Sequence, residues 1–171
     1  MISSVDVHNA RILVVDDREP NVRLLVRLLR GAAYSCIEST TDPRKVYGLH
    51  RKNPYDLILL DVSMPGMDGF QVMDGLREIE TGGYLPVLMI TAEPEHKLRA
   101  LREGAKDFVS KPINSAEVLM RVFNLLEVRL LYQQLNEKNV ELESTRARLA
   151  QIGKADPVAL PAPTTCITRG S

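Results

Sequence analysis

Three carboxylates, a hydroxyl and an amine stand where four short, largely aliphatic runs stop: Arg11-Ile-Leu-Val-Val before Asp16-Asp17, Leu57-Ile-Leu-Leu before Asp61, Leu85-Pro-Val-Leu-Met-Ile before Thr91, and Asp107-Phe-Val-Ser before Lys111-Pro112. A single acid at a strand tip is ordinarily a solvated loop residue, and a single lysine or threonine there is usually no more than that. Brought to one edge, however, these groups make a specific chemistry accessible. Carboxylates a few ångströms apart raise one another's pKa, and a divalent cation removes the conflict. An open, all-oxygen cup favours Mg²⁺, which takes one or two carboxylates plus phosphate oxygens and keeps several waters. Beside such a cation a carboxylate can act as the nucleophile toward a phosphoryl group, while an ammonium and a hydroxyl meet the oxygens.

For this to happen the runs must be neighbouring parallel strands. Leu57 to Leu60, bounded by Asp56 and Asp61, is too short for a helix core and reads as a buried strand. Pro65 and Gly66 then force the chain to turn over the strand's carboxyl end, the end at which open α/β sheets bind ligands. Pro20 opens a first helix carrying Val22, Leu24, Leu25, Val26, Leu28 and Leu29 and closing at Gly31; a second strand follows at Tyr34 to Ser39. Asp42-Pro43 caps and opens a second helix to about Lys52, which Asn53-Pro54 closes. Asp68 and Gln71 form a capping box for a third, broken by Thr81-Gly82-Gly83; Pro94 starts a fourth, with Leu98 and Leu101, that stops at Gly104. Asn114 with Glu117 caps the fifth. Strands alternating with helices in this way predict an α/β parallel sheet with right-handed crossovers.

The 171 residues suffice for one domain and an appendage. With 22 basic and 22 acidic residues there is no global field to attract nucleic acid or an anionic membrane, so neither is an expected partner. No run approaches the roughly 20 apolar residues of a membrane helix, and residues 1–10 carry no apolar signal segment. Cys36 and Cys166 lie far apart without metal spacing and read as ordinary thiols, which points to a cytoplasmic protein; His8, His50 and His96 suggest no zinc site.

From Ser115 the apolar pattern continues without Gly or Pro to Ile152, a helix of about 55 Å whose second half must project from the domain. Val128, Leu135, Leu142 and Leu149 recur every seventh residue. Placed at heptad position d, they put Leu125, Tyr132, Asn139 and Arg146 at a; the rival phase, with the leucines at a, puts Lys138 and Thr145 at d. A parallel homodimer through residues 125–152 is expected, a buried Asn139 setting its register. Pro157, Pro161 and Pro163 mark residues 153–171 as a disordered tail.

The ordered set of Asp16-Asp17, Asp61 with Met64-Pro65-Gly66-Met67-Asp68-Gly69, Thr91-Ala92 and Lys111-Pro112 resembles the receiver domain of bacterial two-component response regulators over about Arg11 to Glu127. The resemblance implies a doubly wound, flavodoxin-like five-stranded sheet of order 2-1-3-4-5 with five helices. It divides the chain into an extension at 1–10, a receiver at 11–127, a coiled-coil helix at 128–152 and a tail at 153–171. Asp61 would be the phosphoacceptor. Asp17, Asp61 and the Ser63 carbonyl would ligate Mg²⁺, with Asp16 acting through water, and Lys111 and Thr91 would meet the phosphoryl oxygens. Phe108 would change rotamer with Thr91; the Lys111-Pro112 bond would be cis; Ser63 and Glu93 occupy positions that tune phosphoryl lifetime.

By the same resemblance the chain is a regulatory phosphoacceptor rather than an enzyme, catalysing only its own phosphorylation and dephosphorylation. A histidine kinase or phosphotransfer protein supplies the phosphoryl group, and the state is read from the face formed by the Pro94 helix, the Asp107 strand and the final helix by an output domain or protein outside this chain. Two alternatives use similar residues: an aspartyl-phosphate phosphatase, which would carry Asp-x-Asp where this chain has Asp16-Asp17-Arg18, and a non-phosphorylated scaffold, which has no need of the full set. The chain contains neither a phosphate-binding Gly-rich lysine loop nor a Gly-x-Ser-x-Gly elbow.

Overall fold

The computed structural model describes residues 4–80 and 83–152; the expected tail with Cys166, and Thr81 and Gly82 of the expected helix stop, lie outside the described residues. In chain order the elements are α1 (Ser4–His8), β1 (Arg11–Val15), α2 (Glu19–Gly31), β2 (Cys36–Thr40), a 3₁₀ turn (Pro43–Lys45) running into α3 (Val46–Lys52), β3 (Leu57–Asp61), α4 (Gly69–Ile79), β4 (Val87–Thr91), α5 (Pro94–Arg102), β5 (Asp107–Ser110) and α6 (Ser115–Ile152). The five strands are all parallel in the order β2-β1-β3-β4-β5, as the resemblance implies.

Side chains alternate across this sheet and split the core in two. Ile12, Val14, Leu57, Leu59, Leu88, Ile90 and Val109 face α2 and the start of α6, where they meet Leu25, Leu29, Val118, Val122 and Leu126. Leu13, Val15, Ile58, Leu60, Val87 and Met89 face α3, α4 and α5, where they meet Val46, Phe70, Val72, Leu76 and Ala100. Each fully buried aliphatic side chain contributes about 1.5–3 kcal/mol, and β3, buried on both faces along its length, is the axis of both layers.

Several local readings shift. No element is expected in residues 1–10, yet α1 forms there, so six α-helices among the described residues replace the expected five. Val7 and Ala10 join the core beside Tyr34, and the His8 carbonyl accepts from Ser35 N at 3.0 Å. The second strand begins two residues later than Tyr34, because Tyr34 is drawn inward and Ser35 is bound to His8. The second helix opens as a 3₁₀ turn, with Asp42 accepting from Arg44 N at 3.0 Å. Beyond Gly31 the reversal is made by Ala33, at φ 66°, rather than by the glycine itself. The capping box of Asp68 and Gln71 is present in both directions, whereas Glu117 does not return to Asn114: its carboxylate pairs with Arg121, and Asn114 Oδ1 alone accepts from Ala116 N and Glu117 N.

Contacts divide the chain into one unit through Gln134 and a second from Leu135. In the first, α6 is rooted by Arg129 Nη1, which donates to the Tyr84 carbonyl at 2.6 Å, and by Gln133 Nε2, which donates to Asp56 Oδ1 at 2.9 Å. In the second, residues 135–152 continue as helix with every side chain exposed. The heptad phase needs correction. Leu125 is only 8% exposed in the core and Tyr132 packs on Tyr84, with ring centres 5.8 Å apart, so neither is free for an intermolecular a position; Val128 and Leu131 are the exposed pair. The rival phase is the one left open, with Val128, Leu135, Leu142 and Leu149 at a and Leu131, Lys138, Thr145 and Ile152 at d. Asn139 leaves the seam, and with it the argument for a parallel register.

Candidate functional site

The register of the sheet brings the strand ends together. Val15 pairs with Leu60 across β1 and β3, so Asp16, next along the chain, stands level with Asp61. Thr91 pairs with Ser110 across β4 and β5, and Lys111 N donates to the Thr91 carbonyl at 2.8 Å. Asp16, Asp17 and Asp61 each offer a carboxylate oxygen within 4.8 Å of the others, the one such metal-capable group among the described residues. Asp16 and Asp61 are 1% and 2% exposed, while Asp17 is half-buried and opens the cup to solvent.

Burial at this depth is tolerable only if each charge has partners. Asp16 accepts from Arg18 N at 2.9 Å, from Asn21 Nδ2 at 3.0 Å on both oxygens, and from Lys111 Nζ at 3.3 Å. Asp61 Oδ1 accepts from Lys111 Nζ at 2.6 Å. Burial pushes the Asp61 carboxyl above the ordinary range, the hydrogen bond and charge of Lys111 pull it back, and Asp16 and Asp17 add to the rise. For Lys111, burial disfavours the ammonium, but Asp61 and Asp16 outweigh it and the pKa is raised. The same pair is thus tilted toward a charged lysine and toward an aspartate that gains from any further positive charge.

The donor set fits a small hard cation. Ligand oxygens about 2.0–2.1 Å from Mg²⁺ lie no more than about 4.2 Å apart, and the three carboxylates offer oxygens within 4.8 Å of one another, a cluster of that scale. Ser63 stands in the exposed loop just beyond β3, where Gly66 takes φ 82° to reverse the chain. The loop closes on α4, with Gly69 N donating to the Val62 carbonyl at 3.0 Å. Thr91 is buried, and its hydroxyl is engaged locally: it accepts from Glu93 N at 3.0 Å and donates to the Glu93 carbonyl at 3.4 Å. Phe108 is half-buried against the α4 side of the core with the Arg121 guanidinium 5.8 Å from its ring centre, and the Lys111-Pro112 bond is cis.

Sequence reasoning missed Asn21. It sits in the first turn of α2, just ahead of the apolar stripe that begins at Val22; its amide holds both oxygens of Asp16. The histidines take other partners: His8 lies against Tyr34, His96 Nε2 against Glu93 at 3.1 Å, and His50 Nε2 against Glu80 at 2.7 Å while its Nδ1 accepts from Tyr55 N.

Comparison with known proteins agrees with this geometry. Residues 12–123 match the response regulator receiver domain. The response regulator PleD of Caulobacter vibrioides is 40% identical over 132 residues, covering 76% of this chain and 29% of PleD. The transcriptional regulatory protein BaeR of Escherichia coli is 35% identical over 157 residues, covering 88% of this chain and 63% of BaeR. The chain therefore spans less than two thirds of these relatives. Among solved structures, the chemotaxis protein CheY4 of Vibrio cholerae superposes with a TM-score of 0.63 at 30% identity, covering 68% of this chain and 98% of that one.

Proposed function

Because this chain belongs to the response regulator receiver domain family, we propose that Asp61 is its phosphoacceptor, that Mg²⁺ is the cation of the acidic cup, and that a histidine kinase or phosphotransfer protein is the donor. The observation that carries the reading is Lys111 Nζ, 2.6 Å from Asp61 and 3.3 Å from Asp16, set beside a cluster of three carboxylates. In the transfer an Asp61 oxygen attacks phosphorus, the bond from phosphorus to the donor's imidazole nitrogen breaks, and the imidazole leaves with the electron pair. Mg²⁺, when bound, supplies charge neutralisation and orientation at the phosphoryl oxygens; Asp17, Asp61 and the Ser63 carbonyl would hold it, with Asp16, fixed by Asn21, acting through water.

Lys111 passes from the carboxylate to a phosphoryl oxygen as the new dianion forms. For the Thr91 hydroxyl to reach another oxygen it must leave Glu93, and this local turn is the cost of the active state. Phe108, on the strand that carries Lys111, is the side chain placed to respond. The output face is α5, β5 and the start of α6, where Leu98 is 65% exposed and Leu101 45%. Neither the phosphatase nor the scaffold reading has an observation in its favour.

Two copies would join through α6 in the phase left free above, with Leu135, Leu142 and Leu149 in the seam and Lys138 and Thr145 weakening it. Comparing sedimentation of the full chain with a truncation ending at Gln134 tests this. A monomer at tens of micromolar in both, or equal dimers, removes the helix as the dimerising element.

The main reading is tested by intact mass after incubation with acetyl phosphate and Mg²⁺. One phosphoryl group is expected on the wild type, and none on Asp61→Asn or in excess chelator. Equal labelling of Asp61→Asn refutes the assignment.

A further inference from the structure

Beside the cup lies a concavity of about 220 Å³ lined by Asp17, Thr41, Asp42, Pro43, Arg44 and Pro65. Its cation is Arg44, just inside the 3₁₀ turn that precedes α3. The backbone of this residue is fixed, since Arg44 N donates to the Asp42 carboxylate at 3.0 Å. Its side chain reaches across to the turn after β3, where a Cβ placed on Gly66 would lie 3.5 Å from Arg44 Nη2. There the guanidinium has no hydrogen-bond or ion-pair partner among the described residues, although Asp17 and Asp42 line the same concavity. An exposed arginine beside carboxylates that pairs with none is available to an incoming anion, and its concavity opens toward the cup through Asp17, a carboxylate oxygen of which lies within 4.8 Å of one on Asp61.

Charge arithmetic indicates what it serves. Asp16, Asp17 and Asp61 carry three negative charges, Lys111 and a divalent cation supply three positive ones, and the cup is balanced before any donor arrives. An acyl phosphate brings further negative charge, part of it on a leaving group that departs as a carboxylate. Planar guanidinium and carboxylate match in a two-point hydrogen bond.

We infer that, when the donor is an acyl phosphate, Arg44 receives the departing carboxylate. The inference rests on Asp61 being the acceptor. The step balances simply: an Asp61 oxygen bonds to phosphorus, the phosphorus–oxygen bond to the acyl group breaks, and the carboxylate leaves with the electron pair onto Arg44.

The test compares two small donors on the full chain in Mg²⁺. Acetyl phosphate releases acetate, whereas phosphoramidate releases neutral ammonia. Even at an exposed side chain such as Arg44, a charge-assisted hydrogen bond to the leaving group is worth about tenfold in rate. Arg44→Ala is therefore expected to slow labelling by acetyl phosphate about tenfold and labelling by phosphoramidate less than about twofold. Arg44→Lys should recover part of the loss, and Lys45→Ala, which removes the adjacent exposed positive charge, should leave the ratio of the two rates unaltered. Mg²⁺ affinity, measured separately by titration, should be undiminished in Arg44→Ala. Equal slowing with both donors, no slowing with either, or weakened Mg²⁺ binding that accounts for the loss overturns the role of Arg44. Wild type labelled by neither donor, or Asp61→Asn labelled by both, instead overturns the phosphoacceptor reading.

Discussion

The start of α4 lies so close to the end of β3 that one methyl group tests the fit. Gly69 is the first residue of α4, buried against the end of β3. A Cβ there would lie 2.5 Å from the Asp61 carbonyl oxygen, 3.0 Å from Met89 Cε and 3.1 Å from Val62 Cα, whereas ordinary contact begins at 3.4 Å. Helix propensity favours alanine by about 0.5–1 kcal/mol, and overpacking costs typically about 1–3 kcal/mol. Overpacking should win, because two of the three obstructing atoms are backbone and cannot rotate aside: strand end and helix start must part by most of an ångström. Gly69→Ala should therefore lose about 1–2 kcal/mol in urea unfolding and, since misplacement on this scale costs up to about a hundredfold in rate, should label from acetyl phosphate at least about tenfold more slowly. The companion change is Gly48→Ala in α3. A Cβ at Gly48 meets nothing within 4 Å, so the same substitution should stabilise by about 0.5–1 kcal/mol and leave labelling unchanged. A Gly69→Ala protein as stable and as reactive as wild type would refute the reasoning.

Three further outcomes are expected. Asn21→Ala frees both Asp16 oxygens, and Mg²⁺ affinity by calorimetric titration should fall about tenfold, while Mg²⁺ at about a hundred times its Kd should stabilise the wild type by about 2.7 kcal/mol. Burial raises the folded pKa of Asp61, so the stability this group contributes is full below its unfolded value and is lost as pH rises through the folded one. In chelator, the stability advantage of Asp61→Asn over wild type should accordingly widen upward from about pH 4 and then level off; a flat difference contradicts it. Lys111→Ala should still take up some phosphoryl group but show smaller NMR shifts around Phe108 than wild type, and shifts of equal size would deny the lysine a transmitting role.

The strands and the cup were legible because each signal was doubled. An aliphatic run marked β1, β3 and β4, the Lys-Pro pair marked the end of the shorter β5, and a chemically distinct residue closed each, so Asp16, Asp61, Thr91 and Lys111 could be placed on one edge before any coordinates. What sequence could not supply was the set of partners reached through space. Asn21 carries no motif, and only the register of α2 against β1 shows that its amide meets Asp16. The helix Ser4–His8 is only five residues long, too short to show a helical period, and Val7 is buried within a core layer that includes Tyr34. The heptad misreading has a similar cause: Leu125 and Tyr132 are apolar for the sake of their own domain, and spacing alone does not distinguish a residue that packs inward from one that waits for a second chain.

The root of α6 has a mechanical implication. The helix begins just past Lys111-Pro112, and by Arg129 and Gln133 it has reached Asp56 and Tyr84, at the opposite ends of the strands, a rigid strut of about 29 Å from Ser115 to Gln134. Its far pin is imperfectly made. Arg129 Nε is buried without a hydrogen-bond partner among the described residues, 3.7 Å from Asp56 Oδ1. A stiff helix does not bend appreciably over this length, so any displacement imposed beside Lys111 would reach the Arg129 and Gln133 contacts at the far end of the sheet.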